Sequence, residues 1–133
     1  QRPYLPLGTL REALCYPVAP EAVPDERVCR ILDLVGLSFL ADERDTEARW
    51  TERLSPGEQQ RLMFGRILIN RPEWIFLDET TSNLDQEGEI RLYDLLREHI
   101  PNLTIVSITH RQALQDQHAV QIDIGCHSPG PRV

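Results

Sequence analysis

The run Trp74-Ile75-Phe76-Leu77-Asp78-Glu79 decides how the second half of the chain folds. Its four apolar residues have the length and character of a strand buried on both faces, and two carboxylates follow directly. Upstream, Ser55 to Asn70 predicts a helix. Ser55 and Glu58 have capping-box spacing, Pro56 takes the favoured first position, and Pro72 ends the element. Leu62, Phe64, Ile67 and Leu68 are its apolar residues. Downstream, Gln86 to His99 predicts a further helix with Ile90, Tyr93, Leu96 and Ile100 at core spacing. Pro101-Asn102 then turns the chain into a second buried strand, Thr104 to Ile108. A short helix after Arg111 and a last strand near Ala119 to Ile124 continue the pattern, and the tail from Cys126 reads as disordered. Buried strands alternating with helices predict an α/β fold with a parallel sheet.

The first half reads differently. Thr9-Leu10-Arg11-Glu12 has capping-box spacing, which places a short helix from Leu10 to about Cys15. Pro17, Pro20 and Pro24 predict an extended linker. A helix starting near Asp25 sets Val28, Ile31, Leu32 and Val35 on one face and stops at Gly36. Ala41 to Arg53 is charged and weakly periodic, and reads as a surface loop or frayed helix anchored by Trp50.

Composition narrows the chemistry. The 133 residues carry a formal charge of −7, with 41% hydrophobic and 26% charged residues. That is too apolar for wholesale disorder, and its acidic balance argues against a nucleic-acid-binding face. All fourteen basic residues are arginine. The absence of lysine removes Schiff-base chemistry and the phosphate-cradling lysine of a P-loop from these residues. No apolar run approaches the roughly 20 residues of a membrane-spanning helix, and no signal peptide is expected. Cys15, Cys29 and Cys126 are widely spaced and read as reduced thiols in a cytosolic setting, not a disulfide frame or metal site.

In open α/β sheets, ligands bind beyond the carboxyl ends of the strands. Asp78-Glu79 after the first strand and His110 after the second occupy that place. One carboxylate there can hold Mg²⁺ while its neighbour orients or deprotonates water. On the residues alone, a turn cap at Asp78, a solvated Glu79 and an ordinary hydrogen-bonded His110 fit as well. Ser55-Pro56-Gly57-Glu58 opens a helix, whose N-terminus attracts anions through free N–H groups, but it could equally be a cap alone.

Taken together, these stretches resemble a known family. Leu54-Ser55-Pro56-Gly57-Glu58-Gln59-Gln60-Arg61 resembles the signature motif of ABC ATPases, and Ile75-Phe76-Leu77-Asp78-Glu79 looks like their Walker B strand. Ser82-Asn83-Leu84-Asp85 matches the D-loop, and Ser107-Ile108-Thr109-His110 is similar to the switch-histidine strand. The opening Gln1-Arg2-Pro3-Tyr4-Leu5-Pro6, with Gly8-Thr9-Leu10-Arg11 and Tyr16-Pro17, is similar to the Q-loop region of half-transporters with fused membrane domains. That branch holds peroxisomal fatty-acyl transporters and their bacterial relatives, and Trp50 before the signature fits the bacterial members.

The resemblance implies a P-loop NTPase-type parallel sheet, present in part, with an ABC helical subdomain. Residues 1–72 would hold the Q-loop and helical subdomain, 73–125 the Walker B, D-loop and switch-histidine part, and 126–133 a disordered tail. It further implies ATP and Mg²⁺ as cofactors, a second ATPase domain as dimer partner and a transmembrane domain fused in the same polypeptide. The place implied is the cytosolic face of a membrane, for the bacterial members the inner membrane. Glu79 would be the general base, His110 would hold the γ-phosphate, and Gln1 would sense Mg²⁺ and the attacking water. Asp78 would support Mg²⁺, with Gln1 at the same ion. Ser55, Gly57 and the adjoining Glu58 would face nucleotide on the opposite subunit, and Asp85 would communicate across the dimer.

Two departures qualify the match. Pro56 stands where the family most often has glycine, which removes one N–H from the anion-facing turn. Thr80 replaces a common alanine. The glycine-rich P-loop with its lysine, and an aromatic residue for adenine, are missing from the sequence. The expectation is therefore the C-terminal portion of an ABC transporter ATPase domain, inactive alone and competent in the full protein. The alternatives are a non-catalytic module that docks on a partner ATPase, and an ATPase head of the chromosome-maintenance type.

Overall fold

In the computed structural model, residues 4–78, 85–108 and 118–122 are described. Two hydrogen-bonded strands, β1 (Gly8–Thr9) and β2 (Glu47–Ala48), pair antiparallel, with Gly8 opposite Ala48 and Thr9 opposite Glu47. Between them run the helices α1 (Leu10–Cys15) and α2 (Asp25–Leu34), and after them α3 (Trp50–Arg53) and α4 (Pro56–Asn70). The second half is a strand–helix–strand unit made of β3 (Trp74–Asp78), α5 (Gln86–His99) and β4 (Thr104–Ile108). β3 and β4 are parallel, in register from Trp74 opposite Thr104 to Asp78 opposite Ile108.

Local chemistry explains most of the boundaries. α1 begins at a capping box, with Thr9 Oγ1 accepting from the Glu12 N–H and the Glu12 carboxylate accepting from the Thr9 N–H. α2 buries Val28, Ile31 and Leu32, and its end is followed by Gly36 at φ +73°, a left-handed position that glycine takes without steric cost. α4 packs closely enough on α1 and α2 that a Cβ at Gly65 would lie 2.7 Å from Leu14 Cδ1 and 3.2 Å from Ile31 Cγ2. One continuous apolar core runs from Leu10 and Leu32 through Trp50, Leu62 and Phe64 to Tyr93 and Leu96.

A ring of charges closes the outside of the helical half. Arg11 reaches Asp45 through Nε and Asp25 through Nη2, each at 2.6 Å, and Arg44 Nη2 reaches Asp25 at 3.0 Å. Hydrogen bonds from Arg44 and then Arg11 hold the Asp25 carboxyl below its ordinary range, and Arg11 does the same for Asp45.

Several expectations change. The proline linker is not wholly extended, because Pro20–Ala22 forms a 3-10 turn. Of the two readings of Ala41 to Arg53, loop or frayed helix, the stretch is closer to the second: a 3-10 segment at Ser38–Glu43 and the short helix α3 flank β2. The cause is Trp50, buried to 1% exposure, which draws the surrounding charged stretch onto the core. In α5 the inward residues are Glu89, Leu92, Tyr93 and Leu96, while Ile90 is only half-buried. The two strands are covered on one face, not two. Ile75 and Leu77 are buried, but Trp74, Phe76, Val106 and Ile108 are exposed, since helices among the described residues pack on one side alone. Ala119 to Ile122 is irregular, not strand. The helix after Arg111, the rest of the last strand and the tail lie outside the described residues. Cys15 and Cys29 are free thiols, Cys15 buried, and Cys126 is outside the described residues.

Candidate functional site at the α4 tip and the strand ends

α4 begins at a closed cap. Ser55 Oγ accepts from the Glu58 N–H at 3.3 Å, and the Glu58 carboxylate accepts from the Ser55 N–H at 2.7 Å. The Gln59 N–H bonds regularly to the Ser55 carbonyl. Proline at the first position has no N–H, so Gly57 carries the one first-turn donor without a partner among the described residues. Ser55 is exposed, and its hydroxyl proton is still available to donate. The turn thus offers an anion one hydroxyl and one backbone N–H at the positive end of a fifteen-residue helix. Glu58 acts here as the second half of the cap.

Gln59 fixes how the chain enters this turn. Its side chain is buried and donates to the carbonyls of Thr51 and Leu54, at 3.0 and 2.9 Å. Arg53 stacks 4.7 Å from the Trp50 ring centre and pairs with Glu43 at 2.7 Å. The corner between α3 and α4 is therefore held from both sides.

The other candidate residues sit at the strand ends. Asp78 is the last residue of β3, opposite Ile108 at the end of β4, so the chain leaves both strands at the same edge. Behind that edge, Tyr93 of α5 shares a 2.9 Å hydrogen bond with Ser107 of β4, and burial pushes the Tyr93 phenol up. Asp85 caps α5, its carboxylate accepting from the Gly88 N–H at 3.3 Å. Gln1, Glu79, Ser82, Asn83, Leu84 and His110 lie outside the described residues, as does the side chain of Asp78. The structure brings Ser55, Gly57 and Glu58 into one turn and places Asp78 and Asp85 on separate elements.

The donor set fits one side of a phosphate contact. No lysine exists in the chain to add to these two donors. Among the described residues no group of three acidic, histidine or cysteine side chains could hold a metal ion.

Sequence reasoning missed Gln59, Arg66 and Asn70. Arg66 is buried in the middle of α4, where burial lowers its pKa. Asn70 donates to the carbonyls of Tyr16 and Arg66, at 3.1 and 2.8 Å. The available signal was polar residues placed between the apolar positions of an otherwise buried helix.

Comparison with known proteins places the chain in a family. A family model described as ABC transporter matches residues 4–82, more than half of the chain. The chain belongs to the ABC transporter family. It is 40% identical over 111 residues to the inner membrane ABC transporter ATP-binding protein YddA of Escherichia coli, covering 84% of this chain and 20% of YddA. It is 37% identical over 134 residues to the human lysosomal cobalamin transporter ABCD4, covering 93% of this chain and 22% of that protein. A bacterial Atm1-family ABC exporter with ATP bound superposes with a TM-score of 0.71 at 26% identity, covering 86% of this chain and 20% of the exporter. The chain spans about a fifth of the length of the curated relatives it matches. Its fold is that of an ABC nucleotide-binding domain, seen as a small parallel sheet with helices, and it is similar to both bacterial and D-family transporters.

Proposed function

We propose that this chain is the C-terminal part of an ATPase domain that hydrolyses ATP in a head-to-tail dimer and so drives transport across a membrane. The observation that carries the reading is the α4 tip, where Ser55 and Gly57 present a hydroxyl and an N–H to an anion, on a chain of this family. Residues 1–72 serve as the Q-loop and helical subdomain and 73–125 as the Walker B to switch-histidine part. The tip faces nucleotide held by the partner domain. At the strand ends Glu79 takes the proton of the attacking water, His110 holds that water and the γ-phosphate, and Asp85 bridges to the partner. Asp78 and Gln1 would hold Mg²⁺, which when bound would offset the charge developing on the transferred phosphoryl group. The place is the cytosolic face of a membrane, in keeping with the inner-membrane relative. A transmembrane domain in the same polypeptide receives the motion.

The decisive experiment is Glu79→Gln in the full-length transporter. Turnover should disappear while ATP binding remains; turnover that persists removes Glu79 as the base. This chain alone should bind ATP weakly, since the phosphate cradle and its lysine are absent from its 133 residues. Calorimetric titration giving micromolar affinity would overturn that expectation.

A further inference from the structure

Arg66 is a cation that neither the α4 cap nor the strand ends use. The residue is 6% exposed. Its Nε donates to the Ala13 carbonyl, and Nη1 donates to the Tyr4 carbonyl at 2.7 Å. The guanidinium lies 5.5 Å from the Tyr16 ring centre. Nη2 is buried with no hydrogen-bond partner, and no carboxylate among the described residues pairs with the group. A buried charge without a counter-charge is costly, and leucine or methionine would fill the same space without that cost. Only a planar fork with several donors can hold two carbonyls that lie nine residues apart in the chain.

Those carbonyls need an outside donor. α1 has six residues, so its last carbonyls cannot all be satisfied within the helix. α4 supplies the donors, Arg66 at Ala13 and Asn70 at Tyr16. The Tyr4 carbonyl belongs to the segment that follows Gln1 by three residues. One side chain therefore ties the helix that begins at Ser55 to the stretch that continues from Gln1.

We infer that Arg66 is a positioning residue, which locks the end of α1 and the segment at Tyr4 to the signature helix. The end of α1, the segment at Tyr4 and the helix that carries the Ser55 turn are then held as one body. This rests on the transporter reading above.

The test is steady-state ATPase activity of the full-length transporter across ATP concentrations, expressed per ATP-binding protein. Arg66→Met keeps the apolar stem and removes both donors. It should leave KM for ATP within about twofold and lower kcat about tenfold, the pattern of an interaction that acts on the step after binding. Arg66→Lys, which can still reach one carbonyl, should fall between Arg66→Met and wild type. If Arg66→Met does not fold, Asn70→Ala loosens the same clamp from the next turn and should lower kcat without raising KM. Unchanged kcat in the folded variant overturns the inference, as does a loss that follows only the fraction of protein binding ATP. Glu79→Gln, run alongside, separates the two ideas. Should the wild-type transporter show no ATP turnover, the ATPase reading fails; should it turn over and Glu79→Gln abolish that turnover while Arg66→Met is unaffected, only the role of Arg66 fails.

Discussion

The helical half, residues 4–70, and the strand half, residues 74–108, bury their apolar residues to different extents. In the helical half, Leu10, Leu14, Leu32, Leu37, Trp50 and Leu62 are fully enclosed, and capping boxes and the Arg11–Asp25–Arg44–Asp45 ring close the outside. In the strand half, Ile75 and Leu77 are buried on one face, where Tyr93 of α5 meets Ser107 of β4, while Trp74, Phe76 and Ile108 stand more than half exposed on the other. A parallel pair of strands is ordinarily covered on both faces. The helical half therefore brings its own shielding, whereas the strand half has the composition of a buried sheet and only half of its cover among the described residues.

The contrast predicts unequal responses to substitution, measured by urea unfolding of this chain. Leu62→Ala should destabilise by about 2–5 kcal/mol, because it opens a cavity where α4 meets the core. A loss well below that range would mean the helical half is loosely packed. Thr9→Ala, which removes half of a capping box, should cost about 1 kcal/mol. The charge ring gives a pH-dependent term. Asp25 and Asp45 are held below their ordinary value of 3.8, so their contribution is fully present above that pH and is lost as pH falls through the depressed values. Asp25→Asn with Asp45→Asn should flatten the acid limb of the unfolding curve and leave its shape above pH 6 unchanged. Phe76→Thr should change stability by about 0.5 kcal/mol or less, since the side chain is 76% exposed. A loss near that of Leu62→Ala would show that the exposed face is covered in solution.

How much of this was legible in the sequence follows the same division. Thr9 with Glu12, and Ser55 with Glu58, are short-range rules, and both capping boxes form where their spacing places them. Gly36 ends α2 for an equally local reason. Around Trp50 the anchor was legible and β2 was not, because a two-residue strand depends on its pairing with Gly8 and Thr9, which no local pattern records. Trp74-Ile75-Phe76-Leu77 was read as buried on both faces because composition reports what a strand can tolerate, not what covers it. The signature turn was legible as a cap and, through resemblance, as an anion-facing element. For Arg66 the spacing showed only a polar residue among apolar ones; its partners are backbone carbonyls, which the sequence does not name.

The anchoring of α4 has a mechanical consequence. Ser55 stands eleven residues from Arg66, about 16 Å along the axis at about 1.5 Å per residue. A stiff rod gripped near its far end turns small rotations into displacement. A tilt of about 5° at the Arg66 grip would carry the Ser55 hydroxyl about 1.4 Å, where a misplacement of about 1 Å can already cost a large factor in rate. A lever of this length makes the distance between a distant phosphate and a single serine sensitive to how two backbone carbonyls are held.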